Sequence, residues 1–145
     1  MTERSQRDRG GAAWRRSVAL LDGLAGTGLR HVVVSPGSRS TPLALAAARC
    51  DAFTLHVIAD ERSAAFFALG LARASGDPAA LIATSGSAPA HWLPAVIEAC
   101  EDRQPLLLLS ADRPLELLNC GANQATEQAR LFAAHARAVF ALPAD

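Results

Sequence analysis

Short runs of aliphatic and β-branched residues recur between longer Ala/Leu-rich stretches, and this alternation restricts the chain to one kind of sheet. Residues 31–35 (HVVVS), 54–58, 80–84, 106–110 (LLLLS) and 139–142 read as strands. Residues 41–50, 61–74 and 89–100 read as the intervening helices, and residues 127–134 as a short one. Runs of four to six residues that are apolar on both faces and separated by helices predict βαβ units. The expected fold class is therefore α/β, a parallel sheet with helices on both faces. An earlier helix starts near Ala12, carries Trp14, Val18, Leu21 and Leu24 on one stripe, and ends at Gly26-Thr27-Gly28. Residues 1–11 lack apolar periodicity, end in Gly-Gly and read as a disordered tail, leaving 12–145 as one domain.

Charge removes several function classes. The 145 residues carry 14 basic and 14 acidic side chains, so no electrostatic case for nucleic acid or an anionic membrane arises. All the basic residues are Arg, which rules out Schiff-base chemistry and a phosphate-loop Lys within this sequence. Anions are then held by Arg forks or backbone N–H groups. Cys50, Cys100 and Cys120 are odd in number and widely spaced, which predicts a reduced, cytoplasmic protein. No stretch resembles a signal peptide or a membrane span.

In open parallel sheets, ligands sit at the C-terminal ends of the strands. The first strand is followed by Pro36-Gly37-Ser38-Arg39-Ser40, a turn that opens a helix. Its N–H groups, hydroxyls and guanidinium suit a carboxylate or phosphate, but they equally suit an ordinary turn capped by Ser40 or Thr41. Asp60-Glu61-Arg62 follows the second strand; Asp60 reads as a helix cap, and Glu61 as either a helix-dipole acid or a functional carboxylate. Ser85-Gly86-Ser87 follows the third strand, and Asp112-Arg113-Pro114, then Asn123-Gln124, follow the fourth. His31, His56, His91 and His135 show no metal-ligand spacing and read as core or surface residues. No G-x-S-x-G or G-x-G-x-x-G element is present at these turns.

The strings HVVVSPGSRSTPLALAAA, ADERSAAFFALGLARASG, ATSGSAPAHWLPAVIEA, LLLLSADRP and NCGANQA occur in this order. Together they closely resemble the N-terminal, pyrimidine-binding domain of the SEPHCHC synthase (MenD) family of thiamine-diphosphate (ThDP) enzymes, over about residues 14–143. The resemblance implies a catalytic and cofactor-binding role for Glu61, hydrogen-bonded to the ThDP pyrimidine, with Ser85 and Gly86 nearby. It implies that Ser38, Arg39, Arg113, Asn123 and Gln124 face the substrates, 2-oxoglutarate and isochorismate, in a step of menaquinone biosynthesis. Ser87, Leu115 and the His91-Trp92 pair depart from the family's usual residues without removing any of these groups.

The family holds the diphosphate and Mg²⁺ on a separate domain with a G-D-G…Asn motif, which does not occur here; Asp22-Gly23 falls inside the first helix. The resemblance thus implies that this chain supplies half a site and no metal ligand, that it does not complete the reaction alone, and that it works with a diphosphate-binding domain in a homo-oligomer. Two other readings stay open. One is the pyrimidine-domain subunit of a two-chain ThDP-dependent 2-oxo acid decarboxylase, which Asp112-Arg113-Pro114 and Asn123-Gln124 argue against. The other is a non-catalytic fragment that only binds or dimerises.

Overall fold

A computed structural model describes residues 3–142. Four strands, β1 (His31–Val34), β2 (Thr54–Val57), β3 (Ala79–Ala83) and β4 (Leu106–Ser110), form one sheet in the order β2-β1-β3-β4. Every pairing is parallel, with His31 opposite Thr54 on one side and Ala79 on the other, and Ala79 opposite Leu106. The connections are α2 (Thr41–Ala48), α3 (Glu61–Ser75) and α4 (Leu93–Glu101), and α1 (Glu3–Gly26) precedes the sheet. The α/β class expected from the alternating pattern is the one found.

Strand geometry assigns alternate residues to opposite faces. Val33, Leu81 and Ala83 point into a core with Ala64, Ala65, Ala68 and Ala72 of α3 and with Trp92, Ala95 and Val96. Val32, Val34, Ala80 and Ile82 point the other way, against Leu21 of α1 and Ala46 and Ala47 of α2. The alanine stripe on α3 lets that helix lie close to the sheet. Burying each Val, Leu or Ile of these faces contributes about 1.5–3 kcal/mol. α3 is closed at both ends by local chemistry: Asp60 Oδ1 accepts the Ser63 N–H at 2.8 Å, and Gly76 takes the left-handed conformation (φ 77°) and donates its N–H to Ala72 O.

Four expectations are corrected. The first helix begins at Glu3, so residues 3–11 are helical rather than a tail; Met1 and Thr2 lie outside the described residues. Glu, Gln and Arg are good helix formers, no Pro interrupts the segment, and Gly10-Gly11 costs only about 1 kcal/mol per Gly relative to Ala. The helix expected over 89–100 divides into a 3-10 turn (Pro89–Trp92) and α4, because Pro94 has no N–H to continue the ladder.

Residues 127–134 make no helix. They form successive turns in which Leu131, Ala133 and His135 donate to the carbonyls of Gln128, Arg130 and Phe132. Phe132 stacks on Trp92 with ring centroids 6.4 Å apart, a tertiary contact that competes with a regular helix. Residues 139–142 form no strand either. Val139, Phe140 and Leu142 are 52%, 84% and 63% exposed, so the apolar run lacks a neighbour to pair with among the described residues.

The histidines also hold a surprise. Register brings His31 and His56, 25 residues apart in sequence, to 3.4 Å between His56 Nε2 and His31 Nδ1. His56 also meets Phe67 edge-on, with centroids 5.1 Å apart. Desolvation, and then the neighbouring His31, hold the His56 imidazole below its ordinary range. A base held low in the folded state binds fewer protons there than in the unfolded chain. Its contribution is therefore present above the unfolded value and is lost as pH falls through about 6.5 toward the lower folded value. Thermal melts at pH 7.5 and 5.5 should show a larger acid-induced loss for the parent than for His56→Gln. Equal losses would remove His56 from the account. Among the described residues, no three or more His, Cys, Asp or Glu are grouped so as to hold a metal ion.

Candidate active site

The strand order makes the site. From β1 the chain runs outward to β2, and from β3 it runs outward to β4, so connections diverge between β1 and β3. A crevice opens at such a divergence, outside the C-terminal ends of the strands. The two loops there touch. Ser35 N–H donates to Ile82 O at 2.9 Å, and a Cβ placed on Gly37 would lie 2.5 Å from Thr84 Cβ. Glycine at 37 is what allows the loop after β1 to lie against the loop after β3.

The turn after β1 is not an ordinary capped one. Ser40 Oγ donates to Gly37 O at 3.1 Å and Thr41 Oγ1 to the same carbonyl at 3.4 Å, and no side chain caps the first amides of α2. Ser38 and Arg39 stay exposed above it. They line an open groove of about 2420 Å³ together with Asp112, Arg113, Gln124 and Gln128. After β4, Asp112 Oδ1 accepts the Arg113 backbone N–H at 2.6 Å, which shapes the turn from which Arg113 emerges.

Two guanidinium groups therefore share one groove. Desolvation lowers the proton affinity of Arg39; the charge of Arg113 lowers it further, and Asp112 raises it. Both remain cationic, since Arg keeps its charge in proteins. Arg113 Nε is buried and meets no acceptor on the protein. A cationic pair with an unmet donor suits an incoming carboxylate.

Ser85 and Gly86 are buried beneath Gln124. Ser85 Oγ donates to Gln124 O at 2.9 Å, and Gly86 (φ 80°) would bring a Cβ to 3.0 Å from Gln124 Cα. Gln124 itself takes φ 54°, uncommon for a non-glycine residue. Asn123 is exposed beside it, and His91 is exposed near Asp60.

Glu61 stands apart from this groove. It is the first residue of α3, half-buried, with no hydrogen-bond or ion-pair partner among the described residues. β2 and β4 are three inter-strand steps apart, on the order of 14 Å at about 4.8 Å per step. One row thus carries a free carboxylate at one end and a cationic groove at the other. Its neighbour Asp60 is kept below the usual carboxylate range, chiefly by the Ser63 N–H and then the Ser63 hydroxyl, so Asp60 is occupied as the cap.

Residues 16–136 match the family model described as the thiamine pyrophosphate enzyme, N-terminal TPP binding domain. The chain belongs to this family. Within it, the chain is similar to 2-succinyl-5-enolpyruvyl-6-hydroxy-3-cyclohexene-1-carboxylate synthases. It is 56% identical to that of Dechloromonas aromatica (strain RCB) over 126 residues, 87% of this chain and 24% of that protein. It is 56% identical to that of Myxococcus xanthus (strain DK1622), covering 86% and 21%. It is 52% identical to that of Cronobacter sakazakii (strain ATCC BAA-894), covering 86% and 22%. The resemblance to the SEPHCHC synthases is therefore upheld, and the TPP-binding domain spans about a quarter or less of these relatives' length.

The arrangement fits an aminopyrimidine cofactor. A carboxylate without a protein partner among the described residues is available to a ring nitrogen, and Ser85 and Gly86, after β3 on the same edge of the sheet, are buried. No helix among the described residues is long and apolar enough to cross a membrane. Thr126 and Gln128 escaped the sequence reading; both bond to strand-end carbonyls far away in the chain, and no local motif marks them.

Proposed function

We propose that this TPP-binding domain serves a ThDP- and Mg²⁺-dependent synthase that takes 2-oxoglutarate and isochorismate within menaquinone biosynthesis, a reading supported by its likeness to the 2-succinyl-5-enolpyruvyl-6-hydroxy-3-cyclohexene-1-carboxylate synthases. The observation that carries the substrate side is the Arg39–Arg113 pair: two like charges in one groove, incompletely offset by Asp112, with a buried Nε lacking an acceptor. Both substrates are polycarboxylates, and each carboxylate relieves that repulsion with a charge-assisted bond. Ser38 adds a hydroxyl donor at the groove wall, and Asn123 and Gln124 add amides at its edge.

When bound, thiamine diphosphate supplies the carbon nucleophile and electron sink that decarboxylation of a 2-oxo acid requires. Glu61 is the residue whose carboxyl would meet a nitrogen of the pyrimidine and exchange a proton with it, a general acid–base role. Asp60 fixes the first turn of α3 and so fixes where that carboxyl stands. Ser85 and Gly86 close the floor of the row. Mg²⁺ and the diphosphate belong to a complementary domain, the working form is a cytoplasmic homo-oligomer, and the chain alone does not turn over.

The test is reconstitution. The chain is mixed with the diphosphate-binding remainder of a similar SEPHCHC synthase, ThDP, Mg²⁺, 2-oxoglutarate and isochorismate. Product from the mixture but from neither part alone is expected. No product, with a remainder that is active beside its own first domain, overturns the substrate assignment; turnover of other 2-oxo acids in that mixture would identify a decarboxylase subunit instead.

A further inference from the structure

Three side-chain bonds tie the segment after β4 back onto the strand ends. Ser85 Oγ donates to Gln124 O at 2.9 Å, Thr126 Oγ1 donates to Gly86 O at 3.1 Å, and Gln128 Nε2 donates to Ala111 O at 3.0 Å. The partners are 39, 40 and 17 residues apart, so these bonds are tertiary and not turn chemistry. Gln128 is 8% exposed, and its amide lies where the chain leaves β4 for Asp112 and Arg113. Between the bonds sits Gln124 at φ 54°, a conformation that persists only where surroundings impose it. The Gly86–Gln124 contact adds a steric limit, since no side chain fits between them.

We propose that Thr126 and Gln128 are positioning residues that hold the Asn123–Gln124 turn and the Asp112–Arg113 turn in fixed relation across the ends of β3 and β4. The proposal deepens the substrate reading above and rests on it. Neither side chain needs to touch substrate. Thr126 locks the turn onto the loop after β3, and Gln128 locks the same segment onto the exit of β4. The groove's amides and its guanidinium are thereby set at one spacing before any ligand arrives, which lowers the ordering cost of binding. Two donors within the three residues 126–128 serve the exits of two strands, so loss of either loosens both turns.

The experiment uses the reconstituted enzyme with Thr126→Val, Thr126→Ser, Gln128→Met and Arg113→Met. Val keeps the shape of Thr but loses the donor; Met keeps the length of Gln but loses its amide. Thr126→Val and Gln128→Met should raise KM for isochorismate about tenfold while kcat changes less than about twofold, and Thr126→Ser should stay within about twofold of the parent. Unchanged KM in both folded variants, or a loss in Thr126→Ser equal to that in Thr126→Val, overturns the proposal. Arg113→Met separates the two ideas: if it leaves KM unchanged, the substrate reading fails whatever the others do. Should Thr126→Val and Gln128→Met both unfold, hydrogen exchange on the unaltered 145-residue chain decides. Slower exchange at Gln124 and Ala125 than at Asn119 and Cys120 is expected, and equally fast exchange overturns the clamp.

Discussion

Glu61→Gln should reduce turnover of the reconstituted enzyme by on the order of a hundredfold or more, the range in which a positioned acid–base group acts. Gln preserves the length of the side chain and its ability to accept a hydrogen bond, but it holds no titratable proton. The substitution should leave the fold nearly intact. Asp60, and not Glu61, caps α3 through Ser63, and Glu61 makes no bond to the protein that Gln would break. The change in stability is then confined to the weaker interaction with the helix N-terminus, about 0.3–1 kcal/mol. The measurement is steady-state turnover at saturating ThDP, beside a thermal melt of the variant chain. A fully active Glu61→Gln would assign Glu61 to the helix dipole alone; a large loss with an unchanged melt assigns it to the reaction.

Gly37→Ala should produce the largest loss of stability of any single methyl added near the crevice. The new carbon would fall 2.5 Å from Thr84 Cβ and 2.9 Å from its Cγ2, and Thr84 Cβ is fixed to the backbone. A rotamer change cannot relieve that contact, so the loops after β1 and β3 must separate. Overpacking of this kind costs about 1–3 kcal/mol, and melting temperature falls by roughly 3 °C per kcal/mol in a domain of this size. The groove should open at the same time, because Ser38 and Arg39 follow Gly37 directly. Thr84→Gly removes the opposing Cβ, and in the Gly37→Ala background it should recover a large part of the loss. A double-mutant cycle reads that coupling directly. If Gly37→Ala melts with the parent, the close approach of the two loops is not a constraint on the fold.

Much of this was legible in the residues. Val32-Val33-Val34 and AALIA are apolar on every residue, as the interior of central strands in a covered parallel sheet must be, and both lie in central strands. Asp60 and Gly76 mark the ends of α3 by chemistry confined to one helical turn each. What escaped depends on register and tertiary contact. The His31–His56 pair exists only because β1 and β2 align His31 with Thr54. Residues 127–134 carry helix-forming residue types, yet the Phe132–Trp92 stack and the Gln128 bond pull them into turns. The 139–142 run has strand composition, but a strand requires a partner, and composition is silent on that. At the site, the order of turns along the chain placed every polar group on one edge. It could not show that Arg39, Arg113 and Gln124 meet at one groove while Glu61 stands across the sheet.

The sheet's two faces divide the site as well as the core. Glu61 opens α3, whose alanines pack with Val33, Leu81 and Trp92. Ser38 and Arg39 lead into α2, whose alanines pack with Val32, Val34 and Ile82. The proposed cofactor contact at Glu61 and the proposed substrate contacts at Ser38 and Arg39 are thus anchored in separate cores that share little but the strand backbones. Substitutions buried on one face should be largely additive with those on the other. Such a domain is modular at the level of selection: residues that bear on a new substrate can drift on the α2 side while the α3 side, and the cofactor chemistry it supports, stays as it is.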